Sequence, residues 1–208
     1  MVQEKTLDDP DWAMIARHGV ILFPNSLAGL AFGSRVIGSA RPDSDYDIAI
    51  VMSEVPDRSY RDDGEYRFRE RVHLPVSVFW TTPQGLDRYQ TLDIVTFSVV
   101  HHSVRLWGPV ELPWHKAKTF PPEGVADVLR TVEAMTDDGT WLDVPFAIVR
   151  YAWRLLAYTC WAVHETPTLV APPMTDDKMT WAEAIRRQWI ILHRYVEVLP
   201  KQGLYPQA

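Results

Sequence analysis

The sequence predicts an α+β protein: a small mixed sheet with flanking helices, followed by a C-terminal helical bundle. Three observations predict it. Short apolar runs closed by glycine, proline or acidic turns fill the N-terminal half, as buried strands would. Prolines then gather at 109, 113, 121 and 122, which marks a linker between a domain over 1–112 and another over 121–208. Beyond the linker, apolar residues recur at helical spacing, among them Ile148, Tyr151, Ala152, Leu155, Leu156 and Thr159.

In chain order, Asp11 to about His18 reads as a short helix, with Pro10 tolerated in its first turn and Gly19 as its stop. The run from Ser26 to Phe32 is a buried strand entering a tight turn at Gly33-Ser34. A single helical turn, Arg35 to Gly38, leads to the polar loop Ser39 to Ser44, and Tyr46 to Met52 is a second strand. Glu65 to Arg71 alternates polar and aromatic residues like an exposed strand, and Val72 to Trp80 continues as a strand interrupted by Pro75. Thr82-Pro83 opens one helix from about Gln84 towards His102, and Val104 to Trp107 is a last strand stopped by Gly108-Pro109. Gly124 to Met135, Val144 to His164 and Asp176 to Leu199 are the helices of the bundle, with a proline-rich loop over 166–173.

A chain of 208 residues with 47% hydrophobic content can bury a full core. No apolar run reaches the roughly 18 residues of a membrane helix, and the polar N-terminus is unlike a signal peptide, so a cytoplasmic location is expected. The formal charge of −6 argues against general capture of a nucleic-acid backbone. Arginines at 58, 61, 67, 69 and 71 are interleaved with acids and read as a solvated face. Cys160, the single cysteine, has apolar neighbours and reads as an inert core residue. His101, His102 and His115 lack partners at zinc-ligand spacing. Asp176 and Asp177 suit the start of a helix, where acids are favoured, and the tryptophans at 141, 153, 161, 181 and 189 read mostly as core.

The chemistry concentrates in Gly33-Ser34 and Asp45-Tyr46-Asp47. Asp45 and Asp47 are two apart on an extended segment, so they share a face and Tyr46 takes the other. Paired carboxylates repel unless a cation lies between them, and their hard oxygens suit Mg²⁺. A glycine-serine turn lets backbone N–H groups and a hydroxyl approach a phosphate. Together these describe a clamp for a metal and a nucleotide.

The run Phe32-Gly33-Ser34 through Ser44-Asp45-Tyr46-Asp47 resembles the GS-x10-DxD signature of the DNA polymerase beta-like nucleotidyltransferase superfamily. Further along, Arg105-Leu106-Trp107-Gly108-Pro109, the helix at 149–155 and Asp177 to Ala182 resemble segments of the aminoglycoside adenylyltransferases that carry a C-terminal helical domain. The resemblance implies transfer of a nucleoside monophosphate, AMP from ATP, to a hydroxyl of a small acceptor, with an aminoglycoside-like or other hydroxylated molecule as the leading acceptor. It implies Asp45 and Asp47 as catalytic metal ligands for Mg²⁺, and nucleotide contacts from Gly33, Ser34, Arg35, Ser44 and Lys178. The same signature occurs in minimal antitoxins, which implies a protein partner as the alternative, and in toxins acting on tRNA, which the acidic balance disfavours.

The family's third carboxylate, from a neighbouring strand, is missing. The strand at 74–80 contains no acid; counting back from Thr82-Pro83 aligns Ser77 with the vacant position, with Pro75 the alternative in a register shifted by two. A serine is no base near neutral pH without an activating partner. Glu70 and His73, just upstream on the expected strand, are the substitutes to consider, and a domain that binds nucleotide without transferring it is the alternative.

Overall fold

A computed structural model describes residues 9–38, 40, 42–89, 93–108, 120–136, 141–163, 173 and 175–198. The expected linker at Pro109 and Pro113, His115, most of the 166–173 loop, and Ser39 and Arg41 of the polar loop lie outside these residues. The chain divides into two compact units, Met1–Gln90 with Ser98–Lys116, and Thr91–Phe97 with Ala117–Ala208.

The first unit holds the sheet. Its elements are α1 (Pro10–Leu22), β1 (Ala28–Phe32), α2 (Ser34–Ile37), β2 (Tyr46–Val51), α3 (Arg58–Val72), β3 (Val76–Thr81), α4 (Pro83–Tyr89), the end of α5 (Ile94–His102) and β4 (Val104–Trp107). The strands lie in the order β3-β2-β1-β4. β1 is antiparallel to β2 and β4, whereas β2 and β3 are parallel. The mixed sheet is the one the sequence predicts.

The parallel pair explains the main correction. Parallel neighbours require a crossover, and α3 supplies it, so the expected strand over Glu65–Arg71 is helical. Period-two alternation was the wrong signal there. Helical spacing brings Phe68 and Val72 to one buried face, Asp57 accepts from the Tyr60 N–H to cap the helix, and Arg58–Asp62, Arg67–Asp63 and Arg69–Glu65 pair one turn apart. Exposed pairs of this kind contribute about 0.3–0.5 kcal/mol each, so the buried stripe is the larger effect. β3 accordingly starts at Val76, after Pro75. The single helix expected over 84–102 is two, because Asp93 caps a fresh start by accepting from the Thr96 N–H and hydroxyl.

One face of the sheet, with Ala31, Tyr46, Ile48, Ile50 and Val76, packs with Trp12 and Ile15 of α1, Phe68 and Val72 of α3, and Trp107. Alternation sends Phe32, Asp47 and Ser77 to the other face. Gly19 does not stop α1, which runs on to Leu22; it makes room for an indole. A Cβ on Gly19 or on Gly29 of β1 would lie 2.3 Å from the Trp107 ring, whose Nε1 donates to the Ser26 hydroxyl at 2.9 Å. Gly29→Ala should therefore lower stability by about 1–3 kcal/mol, the cost of overpacking. A urea midpoint unchanged from wild type would refute this, and Trp107→Leu in the same chain should recover part of the loss.

The second unit is helical: α6 (Pro122–Glu133), α7 (Phe146–Val163), α8 (Lys178–Val198) and the start of α5. Val125, Val128, Leu129 and Val132 line the inner stripe of α6 and meet Val149, Ala152 and Leu156 of α7 and Trp181, Ile185 and Leu192 of α8. Asp177 caps α8 as the sequence suggests. Its carboxylate accepts from the Thr180 hydroxyl and N–H and from the Met179 N–H, which holds its pKa below the usual value. No helix among the described residues is long and apolar enough to cross a membrane.

Cys160 is buried in this core, and burial pushes its thiol up to about 12. An unfolded thiol ionises near 9.0, so the contribution of this group to stability is fully present below that pH and falls as pH rises further. Iodoacetamide at pH 8 should label the native protein at least about 100-fold more slowly than the urea-unfolded chain, since the thiolate is the reacting form. Equal rates would contradict the buried, protonated thiol.

Candidate active site

The site is built where β1 ends beside the start of β2. Phe32 pairs with Asp47 across the antiparallel register, which carries the next residue, Gly33, up to the Asp47 carboxylate. Gly33 adopts φ 79° and ψ −164°, a conformation that L side chains avoid. A Cβ at Gly33 would lie 2.1 Å from Asp47 Oδ2. The glycine is therefore required twice, for its backbone angle and for the carboxylate lying against it. The chain then makes the single turn of α2, in which the Val36 and Ile37 N–H groups donate to the Gly33 carbonyl at 3.1 and 3.2 Å. The Ser34 and Arg35 N–H groups head that turn, where helical geometry supplies no partner within the helix.

Asp45 is exposed and Asp47 half-buried, with buried Tyr46 between them. Tyr46 anchors the acidic pair to the fold. Its ring meets Trp12 edge-on at 4.9 Å, and its hydroxyl is hydrogen-bonded to the Asp11 carboxylate and lies 3.2 Å from that of Asp9. Burial, then the bond to Asp11, raises the Tyr46 pKa well above the ordinary phenol value, so it stays a neutral donor at physiological pH.

Arg35 completes the brace. Its guanidinium stacks over the Tyr46 ring at 4.0 Å and donates from Nε and Nη2 to the Ser44 carbonyl at 3.0 and 2.7 Å. A further bond of 3.5 Å reaches the Pro42 carbonyl. Arg35, the residue after the glycine-serine turn, thus ties that turn to the loop entering Asp45. The part Asp9 and Asp11 play here was not legible in the sequence, since nothing in a local pattern relates them to a tyrosine some 35 residues later.

Gly33, Ser34, Arg35, Ser44, Asp45 and Asp47 therefore stand together at one end of the sheet. Lys178 stands in the second unit, at the first position of α8, and its ammonium donates to the Leu142 carbonyl at 2.7 Å. Ser77 is the β3 residue paired with Asp47, so the strand position next to the acidic pair carries a hydroxyl. Neither proposed substitute stands on β3. Glu70 is exposed on α3, and His73 is its C-cap, at φ 53°. Among the described residues no three His, Cys, Asp or Glu side chains gather into a group that would hold a metal.

Residues 27–100 match the family model of the nucleotidyltransferase domain. No curated protein matches the sequence. Among solved structures, the chain is similar to the spectinomycin adenyltransferase AAD(9) from Enterococcus faecialis, determined with ATP and spectinomycin. The two share 11% identity over 91% of this chain and 100% of the other, with a TM-score of 0.53. At that identity the likeness is one of fold, and it extends over both units. A toxin-antitoxin structure with AMP-PNP matches 46% of this chain and 74% of its own, at 20% identity and a TM-score of 0.35.

Proposed function

We propose that the protein transfers a nucleoside monophosphate, AMP from ATP, to a hydroxyl of a small-molecule acceptor in the cytoplasm. The observation that carries this reading is the Asp47 carboxylate lying against Gly33, within the segment that matches the nucleotidyltransferase family. That contact sets the glycine-serine turn and a carboxylate side by side, the juxtaposition a clamp for a metal and a nucleotide would need. The AAD(9) structure, of the same fold, was solved with ATP and spectinomycin.

The donor set fits Mg²⁺, since carboxylate oxygens of Asp45 and Asp47 are the hard ligands this ion takes, and it usually draws on only one or two carboxylates with water and phosphate oxygens completing its shell. When bound there, the ion would neutralise charge on the triphosphate. The chain's own residues would do the rest. Gly33 and Ser34 would receive the phosphates on the N–H groups of the turn. Arg35 and Ser44 would hold the loop at the spacing the triphosphate needs. In the transfer, the acceptor oxygen bonds to the α-phosphorus, the bond from that phosphorus to the bridging oxygen breaks, and pyrophosphate leaves. The hydroxyl proton passes to solvent or to a carboxylate of the Asp45–Asp47 pair, because β3 offers only Ser77.

The test is incubation with Mg²⁺ and each labelled nucleoside triphosphate, followed by measurement of pyrophosphate and of label on added aminoglycosides, protein or tRNA. ATP-dependent release that rises with a hydroxylated small acceptor is the expected result. Magnesium-dependent nucleotide binding with no release under any condition would instead support a binding-only, antitoxin-like protein. That second reading is favoured by one observation, Ser77 beside Asp47.

Ser77→Asp separates the two. A third carboxylate at the register position of Asp47 should tighten Mg²⁺ binding and raise turnover by about 100-fold, at the low end of general-base effects. A variant that stays folded and binds Mg²⁺ no better would show that Ser77 does not face the metal.

A further inference from the structure

The second unit contains a cavity of about 700 Å³ that the nucleotidyltransferase reading does not use. It opens between the end of α6, Trp141–Leu142 and the first turns of α8. Val132 and Ile185 are buried in its floor, and the half-buried rings of Trp141 and Trp189 form its walls. At its mouth stand Leu142 and Met179, 48% and 60% exposed. Large apolar side chains left in water beside an apolar, aromatic hollow are what a site for a small ligand presents before it fills.

The rim selects the charge. Among the described residues Glu133, Asp177 and Glu183 line the opening, with Arg186 as the cation that lines it. Asp177 is held in its ionised form by the Thr180 and Met179 bonds that cap α8. Glu183 also pairs with Arg187, but both groups are more than 60% exposed, so this ion pair contributes little and yields to a better-placed cation. The ammonium of Lys178 is turned to the Leu142 carbonyl. A phosphate or carboxylate entering here meets an excess of like charge, whereas a cation gains carboxylates at the rim and indole faces within. The volume lies in the range of drug-sized ligands, roughly 300–1,000 Å³.

We propose that this cavity binds a small organic cation with a flat apolar body. It is a site of the helical unit in its own right, so it stands or falls separately from nucleotide transfer. Its occupant enters body first, the ring system between Trp141 and Trp189 and the cationic centre towards Glu133 and Glu183.

The test uses the full chain and two fluorescent probes of comparable size and opposite charge, berberine as the cation and 8-anilinonaphthalene-1-sulfonate as the anion. Berberine should bind saturably at one site per chain, and the anion at least about tenfold more weakly, since each tenfold is about 1.4 kcal/mol of charge preference. The double variant Glu133→Gln, Glu183→Gln keeps the shape and removes the charge; it should weaken berberine by about tenfold and leave the anion unchanged or tighter. Met179→Arg, at an exposed position that folding does not depend on, should also abolish berberine binding. The site would be disproved if the two probes bind alike, or if berberine binds the double variant and the Met179→Arg chain as it binds the wild type.

Discussion

An Asp47→Asn protein is expected to lose magnesium-dependent nucleotide binding and transfer together, with turnover falling by about 10³-fold or more. The amide keeps the size of the carboxylate and its place beside Gly33 but gives up the charge. Metal-centred charge stabilisation amounts to several kcal/mol, and each 1.36 kcal/mol is about tenfold in rate, which sets the scale. Folding should survive, because Asp47 is half-buried on the face of the sheet opposite the Trp12–Phe68 core, and removing one of two adjacent like charges relieves repulsion. Calorimetric titration with ATP, with and without Mg²⁺, is the direct measurement, supported by thermal unfolding. A folded Asp47→Asn chain that binds Mg-ATP like the wild type would overturn the assignment of the site. Asp45→Asn, at the exposed partner position, should show the same coupled loss.

Gly33→Ala should have the second-largest effect and a different signature. Alanine at φ 79° costs about 1–3 kcal/mol in backbone strain, and its methyl group would occupy the position 2.1 Å from Asp47 Oδ2. Either the turn or the carboxylate has to move. The expected result is a modest drop in unfolding temperature together with loss of nucleotide binding by about 100-fold, as for other displaced charge-binding donors. Gly38→Ala is the control. Gly38 also has positive φ, at 81°, but a Cβ there meets nothing within 4 Å, so its cost should fall on stability alone. If Gly33→Ala and Gly38→Ala behaved alike, strain would account for both and the contact with Asp47 would be irrelevant.

Much of the site was legible because it is local. A glycine-serine turn and two acids at alternate positions lie within 15 residues, and each half declares its chemistry through residue type and spacing. The helical unit was legible for a similar reason, since Val125, Val128, Leu129 and Val132 repeat with the period of the structure they form. Ser77 could be placed by counting back from Thr82-Pro83, and it does pair with Asp47.

Where the reading failed, the deciding interactions were remote in sequence. Glu65–Arg71 resembles a strand until β2 and β3 are seen to run parallel, which demands a crossover between them. Gly19 looks like a helix stop until Trp107, far along the chain, fills the space above it. Glu70 and His73 looked like substitutes for a missing base only while they were read as part of that strand.

The sequence by itself determined the residue types gathered at the candidate site, the order of sheet before bundle, and the absence of an acid from β3. These follow from periodicity and composition, which act over a few residues. Tertiary structure alone decided that Asp47 lies against Gly33, that Tyr46 is anchored by Asp11, and that Arg35 braces the loop entering Asp45. Those arrangements depend on strand register and on side chains meeting across the fold, and no local pattern encodes them.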